Sequence, residues 1–135
     1  MTDALTDILH HYYAAWSRQE PDSVMGFFTE VSTFEDLAFE VKFQGLAQIR
    51  SFVDLTYTGA PDFRVAPETI ISNGISAAAT WTMSGTHDGD LPGLPATGKR
   101  FDVRATSIVW FRDERIERIV DYWNPDAFRR CVGLI

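Results

Sequence analysis

The sequence predicts an α+β fold: helices in the first half of the chain, an antiparallel sheet in the second, and the helices on one face of the sheet. Three observations carry that expectation. Apolar residues recur at helical spacing in two stretches before residue 60, and alternation with a period of two dominates after residue 63. The pair Asn73-Gly74 then divides two alternating runs, as in a tight hairpin. With 135 residues, 45% hydrophobic and 13% aromatic, the chain is long enough to bury a core. No repeat or low-complexity segment divides it, so residues 1–135 read as a single domain.

Thr2 or Asp3 is placed to cap a first helix ending near Arg18. Leu5, Ile8, Leu9, Tyr12 and Trp16 form its core stripe, and His10 and His11 fall on partly exposed positions beside it. Pro21 suits the first turn of a short second helix reaching Phe28, where Asp22 favours the positive end. "STFED" is rich in strand formers, and in "FEVKFQ" Phe39, Val41 and Phe43 alternate with Glu40, Lys42 and Gln44. Gly45 opens a third helix over "LAQIRSFVDLTY", with Leu46, Ile49, Phe52 and Val53 as its stripe.

Residues 63–72 and 75–87 form the predicted hairpin. "DGDLPGLPATG", with three Gly and two Pro, is a surface loop. Residues 100–111 and 115–124, joined by a tight polar turn, complete a four-stranded meander. A strongly bent sheet under helices would enclose a pocket of the kind that takes small molecules.

A formal net charge of −7 argues against nucleic acid and anionic membranes as partners. The lone Cys131 excludes an internal disulfide, reads as a structural thiol and fits a reducing cytoplasm. No apolar run is long enough to span a bilayer, and "MTDALTDILHH" lacks the basic start of a signal peptide. The expectation is therefore a cytoplasmic protein. No phosphate-binding glycine loop, dinucleotide fingerprint or Ser-His-Asp order is present, so no cofactor is expected. His87, Asp88 and Asp90 match no metal-ligand spacing, so no metal is expected either.

The strand "RIERIVDYW" contains an anomaly. Ile119, Asp121 and Trp123 share one face, so a carboxylate stands where alternation asks for an apolar side chain. Burial there would raise its pKa towards a range useful for proton transfer. The alternative is a sheet-edge acid, or one satisfied by a helix end.

"SGTHDGDLPGLPATGKRFDVRATSIVWF" followed by "RIERIVDYWNPDAFRRCVG" resembles the SnoaL-like polyketide cyclases of the nuclear-transport-factor-2-like superfamily. "STFEDLAFEVKFQGLAQIRSF" is closer in pattern to the ketosteroid isomerases. The resemblance implies a cone-shaped, strongly curved antiparallel or mixed sheet of about six strands. Three helices in the N-terminal half would enclose an apolar cavity with that sheet. It also implies a homodimer through the convex sheet face, where Asp102, Arg104, Thr106, Ile108 and Trp110 mix charge with apolar surface.

For the site, the resemblance places Asp121 at the general acid/base of the cyclases and at the water-activating acid of limonene epoxide hydrolases. Asp36 falls at the general base of the isomerases, with a turn-starting Asp as the plain alternative. Tyr12 falls at their oxyanion-hole tyrosine, or is ordinary core. Ser107 replaces the isomerases' second donor, a protonated Asp. The Arg-x-Asp pair of the epoxide hydrolases is missing from "AATWTMSG", Phe34 stands where they have a tyrosine, and Asp36 where they have an asparagine. His87 is shared with the cyclases and is a candidate for orienting substrate. Phe34, Trp81, Met83 and Trp123 are candidate cavity-wall residues, with ordinary core as the alternative.

The leading expectation is a cofactor-free enzyme acting on a small apolar carbonyl compound by aldol-type cyclisation or isomerisation. Asp121 would shuttle the proton while Asp36, Tyr12 and Ser107 polarise or orient the substrate. The rivals are a non-catalytic binder of hydrophobic small molecules, epoxide hydrolase-like water activation by Asp121, and an interaction module like those of nuclear transport.

Overall fold

In a computed structural model, the described residues are 3–135. Asp3 caps helix α1 (Ala4–Ser17), its side chain accepting from the Thr6 amide at 2.9 Å; Thr2, the other expected cap, lies outside the described residues. Leu5, Leu9, Tyr12, Tyr13, Ala15 and Trp16 are its buried positions. Helix α2 (Pro21–Met25) stops short of the expected Phe28. The reason is a competing partner, since the Phe27 carbonyl accepts from the Ile116 amide and draws the chain into the sheet.

Strand β1 (Phe28–Asp36) and strand β2 (Val41–Gln44) form a hairpin, and helix α3 (Gly45–Gly59) follows. Strands β3 (Arg64–Ser72) and β4 (Ser76–Thr86) flank the Asn73-Gly74 turn. There the Asn73 side chain accepts from the Ile75 and Ser76 amides, and Gly74 takes a positive φ of 88°. Strands β5 (Arg100–Arg112) and β6 (Arg115–Trp123) complete the sheet. A helix the sequence did not suggest, α4 (Pro125–Cys131), ends the fold. Asn124 caps it and Pro125 occupies its first turn, so the proline that stops β6 also starts a helix.

The expected strongly curved cone is not formed. The six strands lie in the order β2-β1-β6-β5-β4-β3, an open sheet in which β2 and β3 are edges and no pairing joins them. The sheet is mixed, because β1 runs parallel to β6 while every other pairing is antiparallel. Enclosure comes from what lies on one face. Helix α1 packs on β3 and β4, α3 on β1 and β2, and α4 on β5. Bulky aromatic side chains from these elements wall the space, so the sheet has no need to close on itself.

The loop 87–99 is strapped to the end of α3. The Asp88 and Gly89 amides both donate to the Gly59 carbonyl, at 3.0 and 3.1 Å. A Cβ on Gly89 would sit 1.9 Å from the Thr58 carbonyl oxygen, so only glycine permits this approach. Gly89→Ala should therefore lower the denaturation free energy by about 2 kcal/mol or more, with faster amide exchange concentrated in the loop. Wild-type stability in that variant would show the strap to be dispensable.

Candidate active site

The sheet's inner face and the elements packed on it surround a cavity of about 460 Å³. That volume is ordinary for a small-molecule site. Helix α1 contributes Tyr12, Tyr13 and Trp16; the β1–β2 hairpin contributes Phe34, Asp36, Phe39 and Phe43. Helix α3 adds Phe52 and Leu55, the loop adds Leu91 and Pro92, and α4 adds Phe128. Trp81, Met83, Phe101, Asp121 and Trp123 line it from β4, β5 and β6.

Two carboxylates lie side by side in this apolar setting. The parallel pairing of β1 with β6 sets Asp36 directly beside Asp121, and the Leu37 amide donates to the Asp121 carbonyl at 3.0 Å. Adjacent strands are about 4.8 Å apart, so the two side chains emerge as neighbours. Asp36 is 3% exposed and Asp121 8%.

Their hydrogen bonds differ. Asp36 accepts from the Trp123 indole N–H and the Phe39 amide, both at 3.1 Å. Asp121 accepts from the Ser107 hydroxyl at 2.5 Å, and Ser107 in turn accepts from the Trp81 indole N–H at 2.9 Å. The register that makes Ser107 and Asp121 cross-strand partners, with Ala79 opposite Ser107 on β4, builds this chain.

Burial pushes the Asp121 carboxyl up to about 8; the Ser107 hydroxyl opposes that shift and the charge of Asp36 adds to it. Burial also raises Asp36, against the opposing bonds from Trp123, Phe39 and Ala38. Near neutral pH the arrangement favours a protonated Asp121 beside an ionised Asp36, because neighbouring like charges separate their titrations.

Tyr12 is fully buried among Tyr13, Phe27 and Phe28, and burial together with the Asp121 charge holds its phenol well above the usual tyrosine value. Ser107 does not line the cavity. It stands one layer behind, fully buried, and touches Asp121 instead of presenting its hydroxyl to a ligand.

His87 borders the cavity, but both ring nitrogens are engaged within the loop. Nε2 donates to the Leu94 carbonyl at 3.1 Å and Nδ1 meets the Thr97 hydroxyl at 3.2 Å. Its backbone bonds to Lys99, Thr97 and Gly98 close the loop base, so the residue shapes the segment carrying Leu91 and Pro92. Among the described residues, no group of three or more His, Cys, Asp or Glu is placed to hold a metal ion. Nor is any helix among the described residues long and apolar enough to cross a membrane.

The sequence reading passed over Tyr13. The signal was present: Leu5, Leu9 and Tyr13 are spaced by four, and Trp16 follows Tyr13 by three. Leu91, Pro92 and Phe128 had no such signal, because their place depends on loop and helix docking.

The family model described as SnoaL-like polyketide cyclase matches residues 6–130. No curated protein matches the chain in sequence. Among solved structures, the fold is similar to a Catenulispora acidiphila protein with a ketosteroid isomerase-like fold, solved in complex with trimethylamine. That match has a TM-score of 0.83 and 20% identity, covering 93% of this chain and 92% of that one. It is similar also to TsrD from Streptomyces laurentii, with a TM-score of 0.84, 20% identity and full coverage of both chains. A candidate SnoaL-like polyketide cyclase from Jannaschia sp. CCS1 matches with a TM-score of 0.86 and 15% identity, over 98% of this chain and 93% of that one. At these identities the likeness is one of fold.

The raised carboxyls have a consequence for stability. Between the ordinary carboxylate value and about 8, the folded protein holds a proton on Asp121 that the unfolded chain has released, so stability falls as pH rises through that window. Asp36, also raised, acts with the same sign. Asp121→Asn should match wild type near pH 4 and exceed it at pH 8, at about 1.4 kcal/mol per unit of displaced pKa. Parallel stability curves for the two proteins across urea titrations at several pH values would contradict the buried-acid assignment.

Proposed function

From the premise that this chain belongs to the SnoaL-like polyketide cyclase family, we propose that it is an acid/base enzyme that enolises a small apolar carbonyl compound. The outcome is aldol-type ring closure or isomerisation. The observation that carries this reading is the pairing of Asp36 and Asp121 at one spot of an aromatic cavity, where Asp36 has the Trp123 and Phe39 donors and Asp121 has Ser107 alone.

In this reading Asp121 gives its proton to the substrate carbonyl oxygen while Asp36 removes a proton from the adjacent carbon. The enol forms, and the charge has moved from one carboxylate to its neighbour. For isomerisation Asp36 returns its proton at another carbon as Asp121 recovers its own. For ring closure the enol carbon bonds to a second carbonyl carbon, whose oxygen takes the proton from Asp36, while the enol O–H returns its proton to Asp121 and the first carbonyl re-forms. Ser107, fixed by Trp81, steadies Asp121 in both states, and Tyr12 lies close enough for the Asp121 charge to act on it. The chain's own residues supply every proton these steps require.

The sparse polarity of the wall supports a second reading, a binder of hydrophobic molecules in which the acids set orientation alone. Self-association through the outer face of the sheet fits either reading. Ile71, Ala78 and Ile108 form an apolar row across three strands there, and Val31 stands exposed near Trp110.

Exchange of α-protons of 2-tetralone into deuterated water, followed by NMR, separates enzyme from binder. Wild type should accelerate exchange, and Asp121→Asn should lose at least roughly tenfold while still binding the ketone. The rate should decline as pH rises past about 8, where Asp121 gives up its proton, and that limb should vanish in the variant. Binding without any exchange in wild type would favour the binder.

A further inference from the structure

We propose that the cavity selects a carbonyl compound that carries an alkylated amine, its ammonium charge lodged among the rings of Trp123 and Phe39 against Asp36. The proposal rests on the reading of Asp36 and Asp121 as an acid/base pair, and adds a positive charge to the substrate on which the pair acts.

The charges of the cavity do not balance within the chain. Asp36 and Asp121 line it, and no Lys or Arg does. Among the described residues no ion pair includes either acid, because the paired arginines all meet carboxylates elsewhere on the protein. His87 borders the space but turns its ring nitrogens to Leu94 and Thr97. A buried carboxylate without a cation costs free energy, which a ligand of opposite charge offsets. One oxygen also remains open to a ligand: Ser107 engages Oδ1 of Asp121, and among the described residues no hydrogen bond reaches Oδ2.

The walls suit a cation that water holds weakly. The Trp123 and Phe39 rings meet nearly at right angles, at 84° with centroids 5.2 Å apart, and the same two residues donate to Asp36 from indole and backbone amide. Phe128 adds a third ring, 6.3 Å from Trp123. The electron-rich faces of such rings attract ammonium groups. A primary ammonium has three N–H donors to satisfy, more than this sparsely polar wall can meet. An alkylated nitrogen sheds water more readily and packs its methyl groups on the rings. The net charge of −7 favours the approach of cations over anions. An ammonium nitrogen bonded to the enolising carbon stands next to the proton that Asp36 removes, so one carboxylate both attracts the substrate and takes its proton. The ammonium also offsets the negative charge that builds on the substrate oxygen.

The test uses two ketones of one shape, phenacyltrimethylammonium and 3,3-dimethyl-1-phenylbutan-1-one, which differ by nitrogen for carbon beside the enolising carbon. Isothermal titration in about 0.5 M KCl, where attraction to surface charge is screened, gives both affinities. Near neutral pH wild type should bind the cation at least about tenfold more tightly. The cation's affinity should rise further past about 8, as Asp121 ionises, while the neutral ketone's should not. The double variant Asp36→Asn, Asp121→Asn should reduce the preference to about twofold or less. If it fails to fold, Phe39→Leu, which removes a ring and keeps both acids, should cut the preference by about threefold. Equal wild-type affinities overturn the proposal, as does a cation preference that survives the double substitution. Cation preference with no α-proton exchange in either ketone would retire the acid/base reading and leave a binder of alkylated amines. Exchange of 2-tetralone without cation preference would keep that reading and overturn this proposal.

Discussion

Everything in the site turns on the placement of two carboxyl groups side by side where water is scarce. Asp36 and Asp121 come together because β1 is parallel to β6, and that single parallel pairing puts residues 85 positions apart on neighbouring strands. In a low-dielectric setting both cannot carry charge without a large penalty, so the pair divides into an acid and a base. Asp36 accepts from the Trp123 indole and the Phe39 amide, whereas Asp121 accepts from Ser107 alone, so burial leaves Asp121 the more readily protonated of the two.

That division depends on the aromatic enclosure. The sheet is open and does not close around the site. Tyr12, Tyr13 and Trp16 from α1, Phe52 from α3 and Phe128 from α4 complete the walls that the strands leave incomplete. Phe128 touches His87, Phe101 and Trp123, joining the last helix to the loop base and to the strand that carries Asp121. The loop is held from two sides, by His87 at its base and by Gly59 at the end of α3. Contacts far from the carboxylates therefore sustain the dryness that raises Asp121.

The core accepts polar groups that weaken it. Burial opposes ionisation of both acids, and Tyr13 buries its hydroxyl beside Ser107 and Asp121. Leu9, Ile49, Val53, Ile116 and Ile119, all fully buried, supply ordinary apolar packing around these exceptions. Concentrating the exceptions in one cavity keeps the rest of the interior conventional. This is the pattern expected where a scaffold supports chemistry at some expense of stability.

The sequence alone determined much of this. Period-four spacing marked α1 and α3, Asn73-Gly74 marked the β3–β4 turn, and alternation marked β4, β5 and β6 because a half-buried strand needs its apolar residues on one side. Alternation also exposed Asp121 as misplaced among Ile119 and Trp123, and set Phe34 and Asp36 on one face of β1. Tertiary structure alone decided that β1 joins β6 in parallel, that the sheet stays open, and that Ser107 stands behind Asp121 with Tyr13 beside it. Those outcomes arise between segments remote in the chain. Local periodicity fixes which way a side chain faces, but register, docking and hydrogen-bond competition fix what it meets.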